Sequence, residues 1–122
     1  MATGRLLKKD FELFKKECLK WIEIFGLKDL EWQFVFGDCD KDNRAEYLIH
    51  AEGRMCTIYL GEIWENDAKT NKNIKRVAFH EVAEVMLHDL RRLASRDASY
   101  GRVDEATHRI VRILENVLFP RY

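Results

Sequence analysis

The chain has 122 residues, a length that suits one domain with its own hydrophobic core. Its 21 basic and 21 acidic residues cancel, so the total charge gives no indication of nucleic acid, an anionic membrane or an acidic substrate. Cys18, Cys39 and Cys56 form no C-x-x-C pair, and no apolar run approaches the roughly 20 residues that span a bilayer. We therefore expect one soluble, cytoplasmic domain over residues 1–122.

An amphipathic helix is predicted near the start of the chain. Aromatic and aliphatic residues recur there at three- and four-residue steps across residues 11–25. Asp10 is placed to cap this helix and Gly26 to end it. The apolar stripe should supply part of the core.

A small sheet is predicted next. Residues 30–36 alternate apolar and polar side chains with a period of two, as in a half-buried strand. Two further strands are predicted at residues 46–51 and 55–60, with Glu52 and Gly53 in a tight turn between them. These three segments predict a small, mostly antiparallel sheet.

Two helices are predicted in the second half of the chain. A polar segment over residues 65–73 leads into a long helix at residues 74–93. The pattern breaks at residues 95–101 and resumes as a last helix at residues 103–118, which Pro120 would stop. Helices and a local sheet in this order indicate an α+β fold.

The long helix carries the sequence His80-Glu81-Val82-Ala83-Glu84, which differs by one letter from the zinc-protease signature H-E-x-x-H. Each helical residue advances by about 100°, so His80 and Glu84 share one face a turn apart and can grip one metal ion. Glu81 lies beside them, in the place of a catalytic base. Zinc accepts a carboxylate oxygen as well as imidazole, so the glutamate does not abolish such a site.

A plainer interpretation of the same helix is a solvated polar face. Its apolar residues occupy one arc, and His80, Glu81, Glu84 and His88 lie opposite, where an amphipathic helix normally meets water. The apolar arc consists of Phe79, Val82, Val85, Met86, Leu90 and Leu93.

A metal site needs a third protein ligand, and His108 in the last helix is the best candidate. His88 lies roughly 12 Å along the helix from His80, too far for shared coordination. His108 and Asp104 border the arc predicted to be buried, whereas Glu105 is on the far polar side. Asp104 is the alternative candidate for the third ligand. That arc consists of Val103, Ala106, Ile110, Ile113, Leu114 and Val117, with Val111 and Leu118 extending one edge.

Together, His80, Glu84 and His108 would hold one zinc ion with a fourth position open for water. Zinc lowers the pKa of bound water to about 7, and Glu81 could take its proton as general base. In outline this is hydrolysis of a peptide bond.

With these residues the chain resembles the small zincin-type metallopeptidases of phages and bacteria, a group similar to minimal gluzincins and to SprT-like proteins. The resemblance covers most of the chain and rests on the element order, on residues 30–34 as first strand, and on residues 77–84. It implies that His80 is the first ligand and Glu81 the base. Glu84 fills the place of the second histidine, and His108, within residues 105–111, fills the place of the later glutamate.

The resemblance also implies a substrate and its mode of binding. Zincins commonly bind a peptide as an extra strand on a sheet edge, and residues 55–60 are the predicted edge here. The expected partner is therefore a peptide or protein substrate, with no membrane or nucleic acid.

Two alternatives remain open. Glu105 and His108 form a Glu-x-x-His step of the kind found in di-iron carboxylate proteins, to which Glu81, Glu84 and His88 could add ligands. The second alternative is a non-catalytic interaction domain that keeps a zincin-like fold, in which the polar faces are simply solvated.

Overall fold

The computed structural model has an α+β fold and describes residues 4–40, 43–50, 54–65 and 67–122. The order of helix, sheet, motif helix and final helix agrees with the prediction. In chain order the elements are β1 (Gly4–Arg5), α1 (Lys8–Phe25), β2 (Glu31–Phe36), β3 (Ala45–Ile49), β4 (Met55–Leu60), β5 (Ile63–Trp64), α2 (Asn71–Met86), α3 (His88–Ala94) and α4 (Tyr100–Leu118).

Helix α1 begins and ends close to the predicted residues. Asp10 lies in its first turn, where its carboxylate accepts a hydrogen bond from the Leu7 N–H at 2.8 Å. Gly26 ends the helix in the left-handed conformation, with φ of 71°, which glycine adopts without strain.

The three-stranded sheet has the order β2-β4-β3, and this corrects two predictions. Strand β4 is parallel to β2 and antiparallel to β3, so the sheet is mixed rather than mostly antiparallel. Residues 55–60 form the central strand and are not an edge. Strand β4 carries the buried residues of the sheet, because it is central and has β2 on one side and β3 on the other. The turn predicted at Glu52 and Gly53 lies outside the described residues.

A second sheet was not predicted. Strands β1 and β5 form an antiparallel pair in which Gly4 lies opposite Trp64. Strands of two residues are too short to show a period in the sequence.

The predicted helix over residues 74–93 is two helices. Thr70 caps α2 by accepting a hydrogen bond from the Asn73 N–H at 3.1 Å. The helix breaks at Leu87, whose N–H is shared between the carbonyl oxygens of Ala83 and Glu84, both at 3.2 Å. Residues 71–94 contain no proline or glycine, so composition gave no signal of the break.

Helix α4 is rotated relative to the prediction. Its buried residues are Val103, Thr107 and Val111, whereas Ile110, Ile113 and Val117 are 39%, 48% and 50% exposed. The side predicted as the edge of the buried arc is therefore the side that packs inward. This rotation of roughly a quarter turn moves His108 towards α2.

The core lies between α1, α2 and the three-stranded sheet, with Val111 added from α4. Among the described residues, no helix is both long and apolar enough to cross a membrane. The largest fully buried side chains are Trp21, Trp64, Phe14, Phe79, Ile58, Leu60, Ile74, Val82 and Val111.

Candidate metal centre

The polar face of α2 is covered rather than solvated. Glu81 is 6% exposed and Glu84 is 8% exposed, although both are charged residue types. Strand β3 and helix α4 both contact α2. An amphipathic surface helix would leave such side chains in water, so the plainer interpretation of this face is wrong.

His80, Glu84 and His108 converge on one point. The carboxylate oxygen Oε2 of Glu84 lies 2.8 Å from Nε2 of His80 and 2.9 Å from Nε2 of His108. The two imidazole rings stack with their centroids 5.4 Å apart. His80 on α2 and His108 on α4 are 28 positions apart in the chain, and both point a nitrogen atom at the carboxylate of Glu84.

These three residues form the one group in the described part of the chain that could hold a metal ion, with a ligand atom from each within 4.8 Å of the others. Tetrahedral ligands about 2.0 Å from zinc are about 3.3 Å from one another. The nitrogen–oxygen distances would need to open by only about 0.5 Å, which rotation of the side chains can supply. Two imidazoles and one carboxylate are a donor set that fits zinc.

The ring of His108 is oriented by its own helix. Its Nδ1–H donates to the backbone carbonyl of Asp104 at 3.0 Å, and the Asp104 carboxylate lies 3.3 Å away. Asp104 is held in turn by an ion pair with Arg91. A hydrogen bond of this kind fixes which nitrogen faces a metal. Asp104 therefore supports His108 and is not a member of the ligand group.

The other candidate ligands lie elsewhere. His88 follows the break at Leu87, and its Nδ1 lies 3.1 Å from the hydroxyl of Tyr47. Glu105 is exposed on α4. Neither residue belongs to the ligand group, so of the Glu-x-x-His step of a dinuclear iron site only His108 is part of that group.

The charges within the group stabilise one another. Burial lowers the pKa of His80, but the hydrogen bond and charge of Glu84 outweigh it, and the pKa is raised above its usual value. Burial raises the pKa of Glu84, but His80 and His108 outweigh that effect and lower it. The group therefore favours a carboxylate between two imidazoles.

Glu81 is in a different electrostatic position. Burial, followed by the negative charge of Glu84, raises the pKa of Glu81 from 4.5 to about 8, against smaller opposing effects of His80 and Arg44. A carboxyl group with such a pKa can accept and release a proton near neutral pH.

This pKa predicts a pH-dependent stability of the metal-free protein. The folded chain keeps the Glu81 proton up to about pH 8, whereas the unfolded chain loses it near pH 4.5, so stability falls as the pH rises between these values. Glu81→Gln removes this loss, worth about 3 kcal/mol at pH 7. Urea unfolding of chelator-treated protein should show the variant gaining on the wild type from pH 4.5 to pH 7. An equal difference at both pH values would contradict the predicted protonation of Glu81.

A cleft of about 420 Å³ opens beside the group. It leaves space next to the ligand atoms for a water molecule and part of a substrate. Most residues that line the cleft were not predicted from the sequence. The period of a strand shows which face a residue occupies, but it does not show which helix that face contacts. The lining residues besides the four predicted ones are Asn43, Arg44, Ala45, Glu46, Tyr47, Val77, Arg91, Tyr100 and Asp104.

Comparison of the chain with protein-family models, curated proteins and solved structures gives no match.

Proposed function

We propose that the protein is a cytoplasmic zinc-dependent metallopeptidase with a zincin-like fold, in which His80, Glu84 and His108 hold the ion and Glu81 is the general base. The observation that carries the proposal is the approach of two imidazole nitrogens from separate helices to one carboxylate oxygen of Glu84, at 2.8 and 2.9 Å. The cysteines are free thiols, which suits a reducing compartment.

The ligand set favours zinc over calcium and magnesium. Calcium and magnesium prefer oxygen ligands, whereas two imidazoles and one carboxylate are typical of catalytic zinc with a fourth position open. Bound there, zinc would supply a water of pKa about 7 and polarise a carbonyl group. The cleft beside the three ligands leaves room for that position.

Glu81 is suited to move the proton of the attacking water. It lines the cleft, next in sequence to His80, and is 6% exposed, so bulk water does not compete for its carboxylate. Positive charge at the ligand group would favour the ionised form of Glu81 at neutral pH. The carboxylate can then accept the proton and pass it to the leaving amine.

The free edge of β3 supports a peptide as the substrate. In the described part of the chain β3 pairs on one side only, with β4, and residues 45–47 of β3 line the cleft. An extended peptide added to this edge would form main-chain hydrogen bonds and pass beside Glu84 and Glu81. The edge strand for this role is β3, instead of residues 55–60.

The test is peptide cleavage by the zinc-reconstituted protein. A mixture of synthetic peptides is incubated with the zinc-loaded chain and with chelator-treated chain, and products are identified by mass spectrometry. We expect new amino termini only with the zinc-loaded protein. Stoichiometric zinc without cleavage would reject the peptidase and leave a metal-binding domain, and failure to bind zinc would reject the metal centre itself.

A further inference from the structure

An apolar groove of about 340 Å³ runs between α3 and α4. Leu87, Leu90 and Ala94 form one wall, and Ala106 and Ile110 form the other. Arg91 lines both this groove and the metal cleft, so the two are neighbours but open separately.

The groove is part of a larger apolar surface on α3 and α4 that is exposed to solvent. Helix α3 has no buried residue, and its Leu90 and Leu93 are 61% and 48% exposed. On α4, Ile110, Ile113 and Val117 are 39%, 48% and 50% exposed. Single exposed aliphatic side chains are common on protein surfaces, but a group of them on two adjacent helices is typical of a binding surface.

The spacing on α4 indicates that the occupant is a helix. Val103, Ala106, Ile110, Ile113 and Val117 follow alternating steps of three and four residues. This is the spacing of a seam that packs against another helix. Only Val103 of this stripe is buried within the chain.

The charge along the stripe indicates the chemistry of that helix. Arg102 and Arg109 are seven residues apart and exposed, on the flank of the stripe that faces away from the core. In the described part of the chain, the ion pairs of α4 use Asp104, His108 and Glu115, which leaves these two arginines without one. A helix with acidic residues beside its apolar stripe would pair with them.

A second copy of the chain fits this surface poorly. An antiparallel pair of α4 helices related by a two-fold axis brings like flanks together, so Arg102 and Arg109 would face the same arginines. A parallel pair would set the basic flank against the side of α4 that already packs on its own core.

We propose that the groove between α3 and α4 binds an amphipathic helix of a partner protein, with aliphatic residues at three- and four-residue steps and acidic residues on its flank. The site is separate from the metal centre and does not depend on the peptidase proposal.

The experiment uses the full chain and two fluorescent helical peptides with the same leucine stripe. One peptide carries glutamate and the other lysine beside the stripe, and binding is measured by fluorescence anisotropy. We expect the glutamate peptide to bind at least about tenfold tighter than the lysine peptide. Ile110→Ser should weaken its binding by at least about tenfold, and exchange of Arg102 and Arg109 for glutamate should reverse the preference.

Leu19→Ser is the matched control, because Leu19 is 47% exposed on α1, a helix that does not line the groove. Circular dichroism checks that each variant is folded, and the charge exchange leaves every leucine, isoleucine, valine and alanine of the groove in place. Binding of neither peptide, or equal binding of both, would overturn the proposal. Two other results would also overturn the proposal. One is a dimer of the chain in sedimentation that Ile110→Ser abolishes, and the other is binding to phosphatidylserine vesicles that the same substitution abolishes.

Discussion

Replacing Glu81 with glutamine is expected to reduce peptide hydrolysis by about 10²–10⁴-fold while leaving the zinc in place. Glutamine has nearly the same shape as glutamate but cannot accept the proton of the attacking water. Glu81 is outside the ligand group, so the metal content should not change. The two measurements are kcat/KM on a cleaved peptide and zinc per chain by mass spectrometry.

Glu46→Gln is the matched control for this variant. Glu46 also lines the cleft, but it is on β3, where it accepts a hydrogen bond from the Asp40 N–H that a glutamine oxygen can still accept. Its activity should stay close to that of the wild type. Full activity of Glu81→Gln would assign the base to another residue, and loss of zinc would make Glu81 part of the metal site.

Alanine at His80, Glu84 or His108 is expected to lower zinc affinity by more than about 100-fold, because each change removes one of three protein ligands. The wild type should purify with about one zinc per chain. Zinc at about 100 times its dissociation constant should stabilise the wild type by about 2.7 kcal/mol. This stabilisation should raise the melting temperature of the wild type when zinc is added, and the three variants should not show the increase.

His88→Ala is the control, since His88 is eight residues after His80, beyond the break at Leu87, and contacts Tyr47 instead of the ligand group. It should keep the affinity of the wild type. Asp104→Ala should weaken binding by at most about tenfold, because it removes the carboxylate 3.3 Å from His108 Nδ1 but leaves the backbone carbonyl that orients the ring. If His108→Ala keeps full affinity while Asp104→Ala loses it, the third ligand is Asp104.

Local patterns in the sequence predicted α1, the three strands of the main sheet and α4, but not β1, β5 or the break between α2 and α3. The stripe before Gly26 predicted α1, and the alternation over residues 30–36 predicted β2. The spacing of His80 and Glu84 placed them on one helical face, because a helix turns by about 100° per residue whatever surrounds it. The group that could hold a metal ion contains His108, which was chosen from the sequence, and does not contain Glu105.

Contacts between elements were decided only by the tertiary structure. Periodicity shows which face of an element is apolar and not which neighbour covers it. The sequence therefore did not reveal that β4 lies between β2 and β3, so that β3 is the edge beside the cleft.

The same limit applies to α4 and to the chemistry of the site. The sequence shows an apolar stripe on α4, but packing against α2 buried Val111 and left Ile110 exposed. That rotation brings the His108 ring to Glu84. The sequence by itself thus determined the residue types of the site and the face they share on α2. Tertiary packing decided that the face is buried, that His108 reaches it, and that the pKa of Glu81 rises to about 8, because burial is a property of the assembled elements.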